Sequence, residues 1–276
     1  MDFIKQIIVW LFFISPLNHS AIANPMIYKF GVVPQYSAQR IHEIWQPIMV
    51  ELEKHTGIKF LLAGSPTIPA FEKQFLNGEF DFAYMNPFHA IKAIEVQQYT
   101  PMLRDIAEPL IGILVVKKNS QFHEVRSLNG QSIAFPAPNA VGASLMPRAE
   151  LQRRYHIKIE PHYVQSHSSV YLNVALGRVA AGGGVQKTFN QQSSAIKDKL
   201  RIIYQTEKIA SHPLVAHQRI SLAHVNLIKK TLLELANTEH GKKLLHQVPI
   251  KQLGKAQLSD YSSLMKLHLE EFYIKE

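Results

Sequence analysis

Cysteine is absent from all 276 residues. That excludes a disulfide framework, a thiol nucleophile and thiolate metal sites. It also excludes attachment through a lipidated cysteine, so an exported chain of this kind is expected free in the periplasm and not as a lipoprotein. Apolar runs are short. Ile7–Ile14 falls below the roughly 20 residues that cross a bilayer comfortably. With Lys5 ahead of it and Ala21-Ile22-Ala23 behind it as a small-x-small site, residues 1–23 read as a cleavable signal peptide. An uncut N-terminal anchor helix is the alternative. Basic blocks are missing too. The net charge is +9, but Lys and Arg are scattered and never interleave with aromatics as a nucleic-acid surface requires. Such a balance fits an anionic ligand or simply a soluble surface. Catalytic signatures are also lacking. No Gly-x-Ser-x-Gly elbow occurs, and no Ser/His/Asp set is suggested by placement. Histidine is abundant, at fourteen residues, yet the spacings do not make a metal site. His42-Glu43 lacks the second histidine of a zinc-protease helix, and His162/His167 and His212/His217 fall in loop or strand contexts. Neither an enzyme nor a cofactor is expected.

What is present is an alternation of strand and helix signals, which argues for mainly parallel sheets with helices on their faces. Ile27–Val33 reads as a strand. Ile41, Ile44, Trp45, Ile48 and Leu52 follow at helical spacing, with Gly57 as the stop. Pro47 leaves two readings, a kink or a helix that starts near Gln46. Ile58–Ala63, Ile68–Asn77, Asp81–Met85 and the helix from Asn86-Pro87 to about Gln97 continue the alternation. Pro109–Lys117 reads as a long crossing strand. A second set follows: strand Ser132–Phe135, helix Val141–Tyr155, strand Ile159–Val164, helix Ser169–Leu176, Gly182–Gly184 and strand Leu200–Gln205. Pro213–His217 reads as the return crossing. Three helices close the chain, near Leu222–Asn237, Glu239–Gln247 and Ser259–Tyr273. The mature length suits two lobes, about 24–112 plus 213–276 and about 113–212.

Ser127–Ala149 organises this layout. A strand, a Pro-punctuated turn and a helix start would point free N–H groups and the positive end of a macrodipole at a cleft. In open α/β sheets ligands bind beyond the carboxyl ends of strands, and two crossing strands make such a cleft closable. The turns expected to line it are Gln35–Ser37, Ser65–Thr67, Asn86–Phe88, Asn139–Gly142 and Ser166–Ser169. Gly182–Gly184 is expected to allow close backbone approach or a positive φ.

The stretches GVVP, LEKHTG, LNGEFDFAYMNP, SLNGQSIAFPAP with its later Pro, and QSHSSVYLNVALGRVAAG resemble, in order, the phosphonate-binding proteins of ABC transporters. The resemblance implies a two-lobe type 2 periplasmic-binding-protein fold, a small oxyanion such as a phosphonate, phosphite or phosphate as ligand, and a membrane permease with its ATPase as partners. A monomer is expected from the same family. Two other jobs on this scaffold stay open: a sensing subunit for a membrane histidine kinase, and an enzyme built around His167 and its serines.

Within the resemblance, the ligand's anionic end falls to Asn139, Ala140, Val141 and Gly142. His167 is a donor across from it, beside Ser168, which serves as ligand group or helix cap. Tyr36 would close over the ligand, with a surface tyrosine as the alternative, and Ser37 follows it. Asn86 is the polar contact at the third strand, while Tyr84 is either core or cleft. Thr67 is an N-cap or a contact. The family pattern Asp-Pro-x-Ser-Thr-Ser-Gly is replaced by Ala137, Pro138, Asn139, Ala140, Val141, Gly142 and Ala143, which removes three hydroxyl donors. Acidic family positions read Ser168 and Ala180. The expected ligand is therefore not an aminoalkyl phosphonate.

Overall fold

The structure, a computed structural model, describes residues 27–275. The expected signal segment lies outside these residues. The chain opens with β1 (Ile27–Val32), α1 (Ala38–Thr56), β2 (Lys59–Ala63), α2 (Ile68–Leu76), β3 (Phe82–Tyr84), α3 (Pro87–Gln97) and β4 (Thr100–Asp105). It continues with β5 (Gly112–Lys117), β6 (Ser132–Phe135), α4 (Met146–Tyr155), β7 (Glu160–Tyr163), α5 (His167–Ala175), β8 (Ala181–Val185), α6 (Gln186–Asn190), α7 (Ser194–Lys197) and β9 (Leu200–Gln205). β10 (Pro213–Ala216), α8 (Leu222–Ala236), α9 (Glu239–Gln247), β11 (Leu253–Lys255) and α10 (Ser262–Met265) complete it.

Two sheets result, in the order β11-β4-β10-β3-β1-β2 and β7-β6-β8-β5-β9. β1 runs parallel to β2 and β3, while β10 lies antiparallel between β3 and β4. In the second sheet β6 is parallel to β7 and β8, and β5 is antiparallel to β8 and β9. Helices start where short polar side chains can satisfy free N–H groups. Ser37 Oγ accepts from the Arg40 N–H at 3.3 Å, and Asn86 Oδ1 from the His89 N–H at 2.8 Å. α1 runs unbroken through Pro47 from Ala38 and ends at Gly57 with φ of 69°.

The crossings differ from their expected positions. Pro109–Lys117 is not one crossing strand. Gly112–Lys117 belongs to the second sheet, and Pro213–Ala216 lies inside the first. The chain passes between sheets through 106–111 and 206–212. There Leu110 and Ile209 form an isolated antiparallel bridge, with N–H to O distances of 2.9 and 3.1 Å. Beside this bridge Lys187 of α6 pairs with Asp105 at the end of β4. Burial works against the Asp105 carboxylate, but Lys187 and backbone N–H donors hold its pKa below the usual range.

β4 was not expected, since Pro101 and Arg104-Asp105 interrupt its alternation. β8 was not expected as a strand, since three glycines carry little strand preference. Packing overrides that preference: a Cβ on Gly183 would stand 2.1 Å from Ala143 O. Gly182–Gly184 thus serves close approach and not a positive φ, which among the described glycines occurs at Gly57, Gly78, Gly130 and Gly177.

The closing helix expected over Ser259–Tyr273 is broken. α10 is flanked by 3₁₀ turns at Leu258–Tyr261 and Leu269–Phe272, with His268 left-handed at φ 46°. Arg153 donates to the Leu267 and His268 carbonyls at 2.6 and 2.7 Å, diverting them from a helical ladder. One large apolar core joins β1, α1 and α2 to Ala140, Val141, Leu145 and Met146, which lie after β6. The two lobes therefore meet along an apolar seam.

Candidate functional site

Above the hinge bridge the two lobes flank a small cavity of about 10 Å³. That is room for about one water. From the first sheet's side come Val33 and Gln35 after β1, Ile68 at the start of α2, Asn86 at the cap of α3, and His212 ahead of β10. From the second come Ala140–Ala143, His167 at the start of α5, and Val185 at the end of β8. Gln35, Asn86 and His167 stand at a strand's carboxyl end or a helix start, where βα turns converge, and His212 reaches the same edge from the amino end of the antiparallel β10.

The helix expected over Val141–Tyr155 begins with a π turn, Val141–Leu145, and then becomes α4. Ala140 O accepts from both the Ser144 and Leu145 N–H groups, at 2.7 and 3.2 Å. Such bulges widen a turn and recur at functional sites. The N–H groups of Val141, Gly142 and Ala143 have no partner within the helix, as at any helix start, and they carry the positive end of its dipole. The turn lies flat on the glycine strand, with Ala143 O over Gly183 and Gly142 O over Gly112.

No charged side chain lines this cavity. His167 is buried, and its Nδ1 lies 3.1 Å from Thr188 Oγ1, which leaves Nε2 as the free ring nitrogen. Thr188 is itself held by Tyr171 and Val185 O. His212 stacks on Tyr84 at 5.4 Å and lies 3.3 Å from Gln35 Nε2. Burial pushes the His167 pKa down to about 4 and that of His212 down to about 3. Both rings are therefore neutral at pH 7. An anion here would be held by N–H dipoles and neutral donors, with no fixed countercharge.

Of the residues expected from sequence, Asn86, Ala140, Val141, Gly142 and His167 meet at this cavity. The others lie elsewhere. Asn139 is 1 % exposed and faces away from the cavity, toward α2 and the end of the described chain. Its Nδ2 donates to the Glu72 carboxylate at 3.0 and 3.3 Å and to Ile274 O at 2.8 Å. Its Oδ1 accepts from the Ile274 N–H at 3.0 Å, and Asn86 Nδ2 donates to its backbone carbonyl at 3.4 Å. Arg148 joins the same structure, donating to Pro138 O and Phe272 O at 2.8 Å each. Asn139 is thus the hub of a clasp across the two lobes.

Thr67 caps α2, and Ser37 is the exposed cap of α1. Tyr84 is core, packed between Trp45 and His212. Tyr36 and Ser168 line a separate opening beside the cavity. Val33, Gln35, Ile68, Ala143, Val185 and His212 are wall residues that sequence reasoning did not single out. Gln35 stood inside a flagged turn. His212 precedes a proline, which signals extended backbone at the return crossing. Among the described residues, no three His, Asp or Glu side chains are grouped as a metal site needs.

Known proteins share this fold. The profile of the family described as "ABC transporter, phosphonate, periplasmic substrate-binding protein" matches residues 30–261. A curated relative, the phosphate-import protein PhnD of Mycolicibacterium smegmatis, is 19% identical over 247 residues, covering 82% of this chain and 77% of its own. Among solved structures, the binding protein component of an ABC phosphonate transporter from Pseudomonas aeruginosa superposes with a TM-score of 0.82. It has 15% identity and covers 90% of this chain and 88% of its own. PhnD1 from Prochlorococcus marinus, solved with methylphosphonate, gives 0.80 at 16% identity, with 91% and 100% covered. The profile spans most of the sequence, and the chain belongs to the family of periplasmic substrate-binding proteins of phosphonate ABC transporters.

Proposed function

We propose that this protein captures a small phosphonate- or phosphite-like oxyanion by closing its two lobes and delivers it to an ABC permease and its ATPase. The observation that carries this reading is the convergence of Gln35, Asn86, His167 and His212 with a helix start on one small cavity between the lobes, above a two-strand hinge. The lobes divide near 112 and 213. The N–H groups of Val141–Ala143 face the oxyanion, and His167 Nε2 and Asn86 contact it from opposite walls. The wall holds no carboxylate for an ammonium group, so aminoalkyl phosphonates are excluded. The cavity has room for about one water, so the lobes must part to admit a ligand. The protein is exported through a cleaved signal peptide, carries no lipid anchor, works as a monomer and catalyses no reaction.

The test is a thermal-shift panel on protein refolded to strip carried ligand, with phosphate, phosphite, methylphosphonate and sulfonates. Ligand at about a hundred times its Kd adds about 2.7 kcal/mol, which is a few degrees for a chain of this size. His167→Ala should remove the shift while the variant still folds, melting below wild type because a buried, hydrogen-bonded ring is lost. Silence across every phosphorus oxyanion would sink the reading.

A further inference from the structure

Beside the inner cavity lies a second, larger opening of about 270 Å³ at the cleft mouth. Tyr36, Arg40 and Gln247 line it from the first lobe, and Ser168, Gln191, Gln192 and Ser193 from the second. The two spaces are neighbours in the chain: Gln35 and His167 wall the inner one, Tyr36 and Ser168 the outer one. The outer lining is polar throughout and holds one cation and no carboxylate. Arg40 is held only loosely, with Glu43 at 3.6 Å and both side chains more than 40% exposed (43% and 48%). The Tyr36 hydroxyl is buried with no hydrogen-bond partner.

We infer that this opening is a second subsite, and that the ligand is a phosphonate or phosphate ester whose substituent carries carboxylate or hydroxyl groups. This rests on the oxyanion reading above and adds the remainder of the molecule to it. The head sits at the Val141–Ala143 helix start. The substituent passes between Tyr36 and Ser168 and ends against Arg40 and the glutamine side chains. Arg40 favours an acidic end and disfavours an ammonium. The amides of Gln191 and Gln247 and the Ser193 hydroxyl suit hydroxyl groups, which an alkyl tail would not match, while Gln192 Nε2 already donates to Thr188 O at 2.9 Å and Ser168 Oγ at 3.4 Å. Because the lining comes from both lobes, the substituent is gripped only in the closed form.

Isothermal titration calorimetry with two probes, methylphosphonate and phosphonoacetate, tests this on the wild-type protein, Arg40→Ala and Arg40→Ala/Gln247→Ala. One charge-assisted hydrogen bond is worth roughly tenfold or more in affinity. Phosphonoacetate should therefore bind wild type at least about tenfold more tightly than methylphosphonate. Arg40→Ala should erase most of that preference while methylphosphonate affinity stays within about twofold, since Arg40 does not reach the head. Circular dichroism melts confirm that the variants fold. Equal affinities in wild type, or an undiminished preference in the double variant, would overturn the second subsite and leave the oxyanion reading standing. Failure of both probes to bind wild type would overturn both.

Discussion

A single carboxamide illustrates how far a side chain's role depends on where its turn faces. Asn139 follows the strand that leads to the helix start, the place where a ligand contact is expected. Its Nδ2 and Oδ1 instead serve Glu72 and Ile274. Asn139→Ala should leave a buried carboxylate short of a donor and cost about 1–3 kcal/mol of stability. A denaturant titration would read that loss, and an unchanged midpoint would show the clasp to be idle. The histidines carry a second expectation. Unfolded, they titrate near 6.5; folded, His167 sits at about 4 and His212 at about 3, chiefly through burial. Between those values the unfolded chain binds more protons. Their contribution is therefore complete above pH 6.5 and is lost as pH falls toward 4. Each contributes up to about 1.4 kcal/mol per pH unit. The melting temperature should fall from pH 6.5 to 5, and less steeply in His212→Gln. An identical slope in that variant would mean His212 titrates freely. At this scale sequence could nominate turns but not directions. It named His167 and Asn86, which lie at the cavity, and it could not tell that Asn139 turns outward or that His212 turns in.

At the level of elements, the helix start depends on the strand beneath it. Gly183 and Gly112 lie under the carbonyls of Ala143 and Gly142, so the π turn rests on bare backbone. Gly183→Ala should lift that turn and raise amide exchange across Val141–Leu145, with a stability loss of about 1–3 kcal/mol from overpacking. Protection equal to wild type would show that the strand yields instead. The βα units were legible because apolar spacing and caps agreed with each other, as in α1 with Ser37 and Gly57. β4, β8 and β11 were not, because they are short or rich in glycine and exist through pairing with neighbours remote in sequence. The broken end of the chain escaped notice for a related reason. Its periodicity is helical, but Arg153, remote in sequence, takes the carbonyls that a continuous helix would use.

At the level of the whole molecule, the cavity, the opening at its mouth and the apolar seam all lie between lobes joined by one backbone bridge. Absence of cysteine makes a clean reporter available. Spin labels at Glu43→Cys on α1 and Ser194→Cys on α7 flank the mouth, where Arg40 and Ser193 face each other. Pulsed dipolar spectroscopy should give a broad or two-part distance distribution without ligand and a single narrow one with it. One unchanged distribution in both conditions would rule out hinge closure.

The topology also dictates an order of assembly. β10 lies between β3 and β4, yet the entire second sheet separates it from them in the chain. The second sheet is contiguous in sequence and can pair as soon as it is made. The first must wait, holding two strand edges unsatisfied, until the chain returns from its neighbour. Unpaired edges are where exported chains aggregate. The strand that follows the second crossing is thus also the one that ends the molecule's most vulnerable interval, and a ligand, which needs both walls, can protect only what that strand has already completed.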